Sequence, residues 1–251
     1  MRPGHDRATM VASGGRQRCV MFKRGYVEVQ QIEAKALDHP LAERAHRYRG
    51  LHVLALATAD AAATAQRWAS HGLSDGEVHR WGRPTGGAGG FAEFSFVIAH
   101  EAATPSALVI ATEHHDPDLI RPAASVRHPN GAEALHECLV SVSDPGFATG
   151  TYEALTGVSP EDDGFGGNQF GDGHGSLTVG SPDWVRRRLP VDPAAPDCIV
   201  AAVLSVADAT HFAANVDSAG GIALGGRGGV EWFFLSATGF VLGVVQGGRD
   251  S

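Results

Sequence analysis

Residues 135–158 read LHECLVSVSDPGFATGTYEALTGV. The segment opens with an apolar run of strand length and then reaches Asp144, which Pro145 follows directly. An aspartate at this point can accept hydrogen bonds from the free amides of a first helical turn, and proline suits the first helical position. Gly157 lies where the left-handed residue that ends many helices would be needed. The pattern predicts a strand, a capped helix of about three turns and a glycine stop.

Two further segments repeat this pattern. They are LHVLALATADAAATAQRWASHGL at 51–73, with Asp60 as cap and Gly72 as stop, and CIVAAVLSVADATHFAANVDSAGGI at 198–222, with Asp208 and Gly220. Strand-like stretches separated by turn residues follow each copy. The sequence therefore predicts an α+β fold in which a β-α-β-β-β module occurs three times.

The first fifty residues contain only the later part of such a module. TMVAS, RQRCVMFK and GYVEVQQIE are typical of its three later strands, and residues 33–50 of a polar connector. A module without its opening strand and helix has an open sheet edge and an uncovered apolar face. We expect one of two remedies. Either the reading frame upstream of Met1 encodes an apolar strand ending in Asp and a helix, or a homodimer partner completes the first module.

Composition restricts the classes of partner. The chain of 251 residues has a net charge of -8 and a pI near 5.9, which provides no basic surface for nucleic acid. Its apolar runs are far shorter than the roughly 20 residues of a membrane helix, and its start lacks the apolar core of a signal peptide. Cys19, Cys138 and Cys198 are odd in number and far apart, which favours reduced thiols. We expect a soluble cytoplasmic protein without nucleic-acid or membrane partners.

The repeat, RGLHVLALATAD, and the linker EHHDPDLIRP followed by HPNGA resemble the vicinal oxygen chelate superfamily, and within it the glyoxalase-like-domain proteins. Glyoxalase I, extradiol dioxygenases and the fosfomycin and bleomycin resistance proteins belong to this superfamily. The resemblance implies incomplete cup-shaped barrels of paired modules that bind a small molecule. It divides the chain into an N-terminal half at 1–120 with the partial module 1 and module 2, a linker at 121–134, and a C-terminal half at 135–251 with modules 3 and 4.

The same resemblance implies positions for metal ligands. In metal-using members, ligands come from the first strand, usually seven residues before the capping aspartate, and from the last strand, usually as glutamate. In this chain the positions hold Val53, Glu137 and Ala201 in first strands, and Glu28, Thr112 or Glu113, Thr178 or Val179, and Gly243 in last strands. The two histidines and one glutamate that an extradiol dioxygenase needs in its C-terminal half are absent, so that reaction is disfavoured.

Residues 111–136, ATEHHDPDLIRPAASVRHPNGAEALH, hold four of the thirteen histidines. His114 and His115 follow a strand directly, so at most one of them faces the cup, as a metal ligand or as a strand-end hydrogen-bonding group. His128 precedes a proline and an Asn-Gly turn, and it either holds this turn or lines the mouth of the cup. Arg121 is either solvated or clamps a carboxylate or phosphate.

Glu28 is the best match to a ligand position. Facing the cup, it would be a metal ligand or a base that removes a proton next to a carbonyl; facing outward, it would be an ordinary residue of an edge strand. Glu137 has the same alternatives. A glycine-rich stretch at 164–175 matches neither a dinucleotide-binding fingerprint nor a P-loop, and we expect a hairpin over the cup.

Two functional hypotheses follow from the resemblance. The first is a lyase or isomerase-type enzyme for a small carbonyl or oxygenated metabolite, with Glu28, Arg121 and His128 as candidate catalytic residues. It works with one divalent Zn, Ni, Mn or Fe ion, for which Glu28, His114, His115 and Glu137 are the candidate ligands, or with no metal. The second is a non-catalytic binder of the bleomycin-resistance type, which the apolar or missing side chains at Val53, Ala201 and Gly243 favour.

Overall fold

The three helices of the repeat begin at the predicted aspartates. In the computed structural model, each aspartate side chain accepts a hydrogen bond of 2.9 to 3.0 Å from the backbone amide three residues later. The pairs are Asp60 with Ala63, Asp144 with Phe147, and Asp208 with His211. Gly72, Gly157 and Gly220 have left-handed φ values of 68°, 72° and 77°. The local prediction from the repeat is therefore confirmed.

The structure describes residues 4–10, 15–32, 41–84, 90–171 and 175–247. Module 1 contains β1 (Gly4–Met10), β2 (Gly15–Met21) and β3 (Tyr26–Ile32). Module 2 contains β4 (Val53–Ala57), α2 (Ala61–Ser70), β5 (His79–Pro84), β6 (Phe91–Ile98) and β7 (Leu108–His114). Module 3 contains β8 (Ala132–Ser141), α4 (Pro145–Thr156), β9 (Glu161–Asp162), β10 (Asn168–Phe170) and β11 (Ser176–Gly180). Module 4 contains β12 (Cys198–Val206), α6 (Ala209–Ser218), β13 (Ile222–Arg227), β14 (Val230–Leu235) and β15 (Phe240–Gln246).

Three short helices connect these modules. They are α1 (Ala42–Arg47), α3 (Pro117–Ile120) and α5 (Pro182–Arg188), none of which the repeat predicts. The first lies in the expected polar connector, of which residues 33–40 are outside the described residues. Residues 11–13, the last three of TMVAS, are also outside them. Among the helices that the structure describes, none combines the length and apolarity needed to cross a membrane.

The strands form three sheets. Their orders are β1-β2-β3, β4-β7-β6-β5, and β13-β14-β15-β12-β8-β11-β10-β9. In each complete module the first and last strands pair in parallel, which requires a crossover, and the capped helix is part of that crossover. The first strands of modules 3 and 4, β8 and β12, pair antiparallel at the centre of the eight-stranded sheet. This mixed arrangement is the α+β class that the repeat predicts.

The helices of modules 2 and 3 pack against each other. Trp68 of α2 is fully buried, and its indole Nε1 donates to the carbonyl oxygen of Leu155 at 3.0 Å. The buried Tyr152 hydroxyl lies 2.9 Å from the hydroxyl of Ser106. One apolar cluster covers the helix-facing side of the four-stranded sheet and continues over the helix-facing side of β8 and β11. The other faces of these sheets therefore point away from this core.

The side chain of Asp208 tests the capping interaction. We expect Asp208→Ala to lower the free energy of unfolding by about 1 kcal/mol, because the amide of His211 loses its acceptor. Urea denaturation followed by circular dichroism measures the difference. Asp217→Ala, in the last turn of the same helix, is the control and should not destabilise, because a negative charge there opposes the helix dipole. Equal losses in both variants would contradict the cap.

Candidate functional site

Alternation along the strands identifies the concave face of the four-stranded sheet. Val109 and Ala111 of β7 pack in the cluster with α2, so Ile110, Thr112 and His114 point to the other face. By the same alternation, Val97 of β6 faces the helix, and the side chains of Ala92, Phe94 and Phe96 face away from it. We call the space between this face and the three-stranded sheet the N-terminal cup.

The three-stranded sheet closes one end of the N-terminal cup. Cys19 and Met21 of β2 are buried in a cluster with Ala92 and Ile120. Across the cup, the rings of Tyr26 and His114 meet edge to face, with their centroids 6.3 Å apart. The face of β2 and β3 that carries Cys19 and Met21 is therefore the concave one.

An aromatic wall lines the opposite side of the cup. Phe94 contacts the rings of Trp81, Phe96 and His114 at centroid distances of 5.2, 6.3 and 6.1 Å. His79 stacks on Phe96 at 5.2 Å. Trp81 is 38% exposed, and Phe94 and Phe96 are half-buried. Partly exposed rings on a concave surface are typical of sites for small organic molecules.

Glu28 lies on the concave face of β3. It pairs across the ladder with Cys19, whose thiol lies 3.3 Å from Oε2 of the carboxylate. The amide Nε2 of Gln30 donates to Oε1 at 2.5 Å. Among the residues that the structure describes, no lysine, arginine or histidine forms an ion pair with Glu28. Two neutral groups thus orient a carboxylate inside the cup.

Two other candidate residues, Glu113 in β7 and His115 directly after it, point away from the cup. Glu113 accepts a hydrogen bond at 2.9 Å from the amide of Ala61, at the start of α2. His115 lies on the same face as Glu113, and its Nε2 is 2.9 Å from the hydroxyl of Ser95. Of the adjacent histidines, His114 therefore shares the cup with Glu28, and His115 does not.

His128 and Arg121 lie behind the three-stranded sheet and beside it, respectively. His128 Nε2 donates to the carbonyl oxygen of Met21 at 2.7 Å, and its ring packs 5.2 Å from that of Phe22. This contact joins the linker to β2 on the side of Phe22, away from the cup. Arg121 follows the buried Ile120, and its Nε is buried without a hydrogen-bond partner among the described residues.

The corresponding cup of the C-terminal half is filled. Helix α5 places Trp184 in a buried cluster with Trp232, Leu139 and Ala201, on the concave side of β8 and β12. Gly243 occupies a last-strand ligand position, and a Cβ there would lie 2.7 Å from the ring of Trp232. Two of the positions where metal-using relatives carry ligands are thus part of an apolar core in this chain.

Glu137 is the exception in this core. Its side chain is 2% exposed, and its Oε2 lies 3.1 Å from Nη2 of Arg188, whose side chain is 11% exposed. The hydroxyl of Thr178 donates to Oε1, and Gln169 donates to the same oxygen at 3.5 Å. A buried carboxylate needs such compensation, because desolvation otherwise favours its neutral form.

Asp163 and Arg188 complete this network together with Trp184, and the sequence did not point to these two charged residues. The indole of Trp184 donates to Oδ2 of Asp163 at 2.7 Å, and amides of the glycine-rich stretch donate to Oδ1. A Cβ on Gly167 or Gly180 would lie 2.4 or 2.3 Å from the Trp184 ring. The Ser-Pro-Asp sequence at 181–183 could have predicted the start of α5, because Ser181 caps the helix and proline suits its first position. The predicted hairpin therefore carries an ordered turn around Asp163, although residues 172–174 lie outside the described residues.

The cysteines are free thiols with different surroundings. Burial raises the pKa of Cys138 to about 12, and the neighbouring carboxylate of Glu137 adds to this effect. Burial also raises the pKa of Cys198. Both thiols therefore stay protonated at neutral pH. The third cysteine, Cys19, lies beside Glu28 in the candidate site.

The described residues do not by themselves form a metal site. Among them, no three histidine, cysteine, aspartate or glutamate side chains converge on one point. A zinc or iron site needs three or four such ligands. The candidate ligands Glu28, His114, His115 and Glu137 therefore do not form such a site among the described residues.

The ion pair of Glu137 can be tested by its effect on stability. We expect Glu137→Gln to lower the free energy of unfolding by about 3 kcal/mol, because Arg188 loses its closer counter-charge and keeps only Asp163, at 3.8 Å. The double variant Glu137→Leu with Arg188→Met should recover most of this loss, since it removes both charges of the closer pair and leaves Asp163 with its donors from Trp184 and two backbone amides. Guanidinium denaturation of the three proteins measures this. A single variant as stable as the wild type would contradict the structural assignment.

Comparisons with known proteins agree with this fold. The sequence model of the family described as "Glyoxalase-like domain" matches residues 5–156. No curated protein matches the chain. A hypothetical protein from Staphylococcus aureus has a similar structure, with a TM-score of 0.59 at 8% identity over 93% of this chain and 86% of its own.

Two weaker structural matches have printed functions of their own. Methylmalonyl-CoA epimerase from Mycobacterium tuberculosis aligns with a TM-score of 0.34 at 14% identity, over 49% of this chain and 93% of its own. A variant of homoprotocatechuate 2,3-dioxygenase from B. fuscum aligns with a TM-score of 0.42 at 15% identity, over 78% of this chain and 54% of its own. The family match covers more than half of the sequence. The chain therefore belongs to the glyoxalase-like domain family.

Proposed function

We propose that the protein is a glyoxalase-like enzyme of the lyase or isomerase type. It binds a small carbonyl or oxygenated compound in the N-terminal cup, and the carboxylate of Glu28 moves a proton on the carbon next to the carbonyl. The observation that carries this proposal is the contrast between two buried or half-buried carboxylates. Glu137 is neutralised by Arg188. Glu28 instead accepts hydrogen bonds from two neutral groups of the described residues, the thiol of Cys19 and the amide of Gln30.

The surroundings of Glu28 suit a proton transfer. A carboxylate held by neutral hydrogen-bond donors keeps its orientation without being neutralised by a cation, as a general base must. His114 on the facing wall is a candidate donor to the carbonyl oxygen, where negative charge develops as the proton leaves. The rings of Phe94 and Phe96 offer an apolar surface for the rest of the substrate. We therefore expect α-hydroxy ketones with an aromatic or short aliphatic substituent to bind.

A non-catalytic binder is the second candidate function. It is favoured by Val53, an apolar residue at a position where metal-using relatives carry a ligand, and by the aromatic wall with the exposed Trp81. Such a protein would hold an aromatic compound in the same cup without turnover. The two candidates differ in whether a bound ketone exchanges its α-protons with solvent.

Replacement of Glu28 tests the proposal. Proton NMR in D₂O follows loss of the α-proton signals of hydroxyacetone and 2-hydroxyacetophenone in the presence of the protein. We expect Glu28→Gln to slow this exchange by a factor of about 10² to 10⁴, because the amide cannot accept the proton. Binding of the ketones, measured by titration calorimetry, should change little.

Glu113→Gln provides the matched control. The carboxylate of Glu113 lies near the end of β7 but faces α2, so its replacement should leave the exchange rate unchanged. Tight binding without exchange by the wild type would favour the binder. Equal exchange in the wild type and Glu28→Gln would exclude Glu28 as the base.

A divalent ion at Glu28 is the competing assignment for this carboxylate. Mass spectrometry of untagged protein, prepared without chelating resin, measures zinc, nickel, manganese and iron per chain. About one equivalent that is lost in Glu28→Ala would make Glu28 a ligand, with further ligands from outside the described residues. Unchanged metal content in this variant would leave the base as the role of Glu28.

A further inference from the structure

A cavity of about 140 Å³ lies where residues 48–51, which precede β4, cross the C-terminal half. Leu51 forms an antiparallel bridge with Ile199 of β12. The guanidinium Nη2 of Arg49 donates to the carbonyl oxygen of Ala237 at 2.9 Å, and the hydroxyl of Tyr48 donates to the carbonyl oxygen of Leu51 at 2.5 Å. These contacts fix one wall of the cavity, which comes from the N-terminal half, against walls from the C-terminal half.

Gly239, in the turn between β14 and β15, allows this close crossing. Its φ is 72°, and a Cβ there would lie 2.6 Å from the Cβ of Arg49. A side chain at this position would be strained by the left-handed backbone and would also push residues 48–50 away from the turn. The cavity is therefore enclosed by segments that pack directly on each other.

The inner surface of the cavity is mostly apolar and rich in aromatic residues. Ile199 and Val200 are its most buried residues, with 4% and 7% exposure. Tyr48, Phe234 and Phe240 also line it. An apolar cavity of roughly 150 Å³ can hold one benzene molecule. The size and the lining thus suit a single aromatic ring, whose burial removes apolar surface from water.

The rim of the cavity carries two exposed charged side chains, Arg49 and Asp192. Asp192 is bound by Arg186, whose Nε donates to Oδ1 at 2.7 Å. No carboxylate within the described ranges forms an ion pair with Arg49, which uses Nη2 for the carbonyl of Ala237. A guanidinium has five N–H donors, so those on Nη1 and Nε remain for a ligand. Two such donors match the geometry of a carboxylate.

We propose that this cavity is a second binding site, which takes a small carboxylate with one aromatic ring. The ring packs against Tyr48 and Phe234, and the carboxylate at the rim accepts hydrogen bonds from Arg49. The site is separate from the N-terminal cup and contains none of the residues proposed for proton transfer, so it goes beyond the proposed function. Because its walls come from both halves of the chain, a bound ligand also stabilises their joint.

Benzoate is the probe, and benzyl alcohol, which has the same ring without a charge, is the control ligand. Titration of the ¹⁵N-labelled full chain, followed by NMR, locates the site and gives the dissociation constant. We expect benzoate to shift the amide signals of Gly50, Val200 and Gly239, with a Kd of about 1 mM or lower. Benzyl alcohol should bind at least about tenfold more weakly, because it cannot form the ion pair with Arg49.

Arg49→Gln tests the contact with the carboxylate. It should weaken benzoate binding by about tenfold or more and leave the binding of benzyl alcohol unchanged. Arg47→Gln is the matched control, because it removes the same charge two positions earlier from a residue that does not line the cavity. Benzoate binding should stay unchanged in this control. The spectrum of each variant without ligand establishes that it is folded.

Val241→Phe tests the cavity itself. Val241 lines the cavity, and a phenylalanine there should occupy the space of the ligand ring. We expect both benzoate and benzyl alcohol to lose binding in this variant. Unchanged binding of benzoate in the folded variant would place the ligand elsewhere and overturn the proposal.

Three further results would overturn the proposal. One is the absence of saturable shifts with benzoate up to about 20 mM in the folded chain. Another is equal affinity for benzoate and benzyl alcohol, or for benzoate in the wild type and Arg49→Gln. The third is a set of shifts confined to the N-terminal cup, at residues such as Phe94 and Phe96. Glu28→Gln should bind benzoate like the wild type, so a negative ketone exchange experiment does not affect this test.

Discussion

Parallel pairing between the first and last strands of each module is the constraint on which the rest of the structure depends. Parallel neighbours cannot be joined by a tight turn, so the chain must cross one face of the sheet between them. The helix of each complete module makes this crossing and buries that face. The opposite face of the sheet is the concave one. The aspartate caps and glycine stops matter because they place this helix in register with the strand before it.

The same architecture has different contents in the two halves. In the C-terminal half, α5 inserts Trp184 into the concave space, and Arg188 neutralises the buried carboxylate of Glu137. In the N-terminal half, aromatic side chains line the wall, and Glu28 lies on the inner face of β3. The N-terminal cup is therefore where we place the proposed site. The C-terminal half contributes stability, because its cup has become a second apolar core.

The candidate residues were predictable to different degrees. Counting from the capping aspartates correctly found positions on the concave side, since both Glu137 and Ala201 point inward. Counting could not find Arg188, because the ion pair with Glu137 joins residues 51 positions apart. For His114 and His115, strand geometry predicted that the two side chains point to opposite faces of the sheet. The direction itself came from the packing of α2 on Val109 and Ala111.

The sequence by itself determined the modules, their order and the ends of their helices. These features depend on interactions within a few residues, such as Asp144 with the amide of Phe147 and the left-handed backbone of Gly157. Only the tertiary structure decided which cup an apolar core fills and which carboxylate is neutralised. Those properties arise from side chains and sheet edges that meet across long separations in the chain. Local propensity contains no information about such contacts, because it does not specify what fills a concave face.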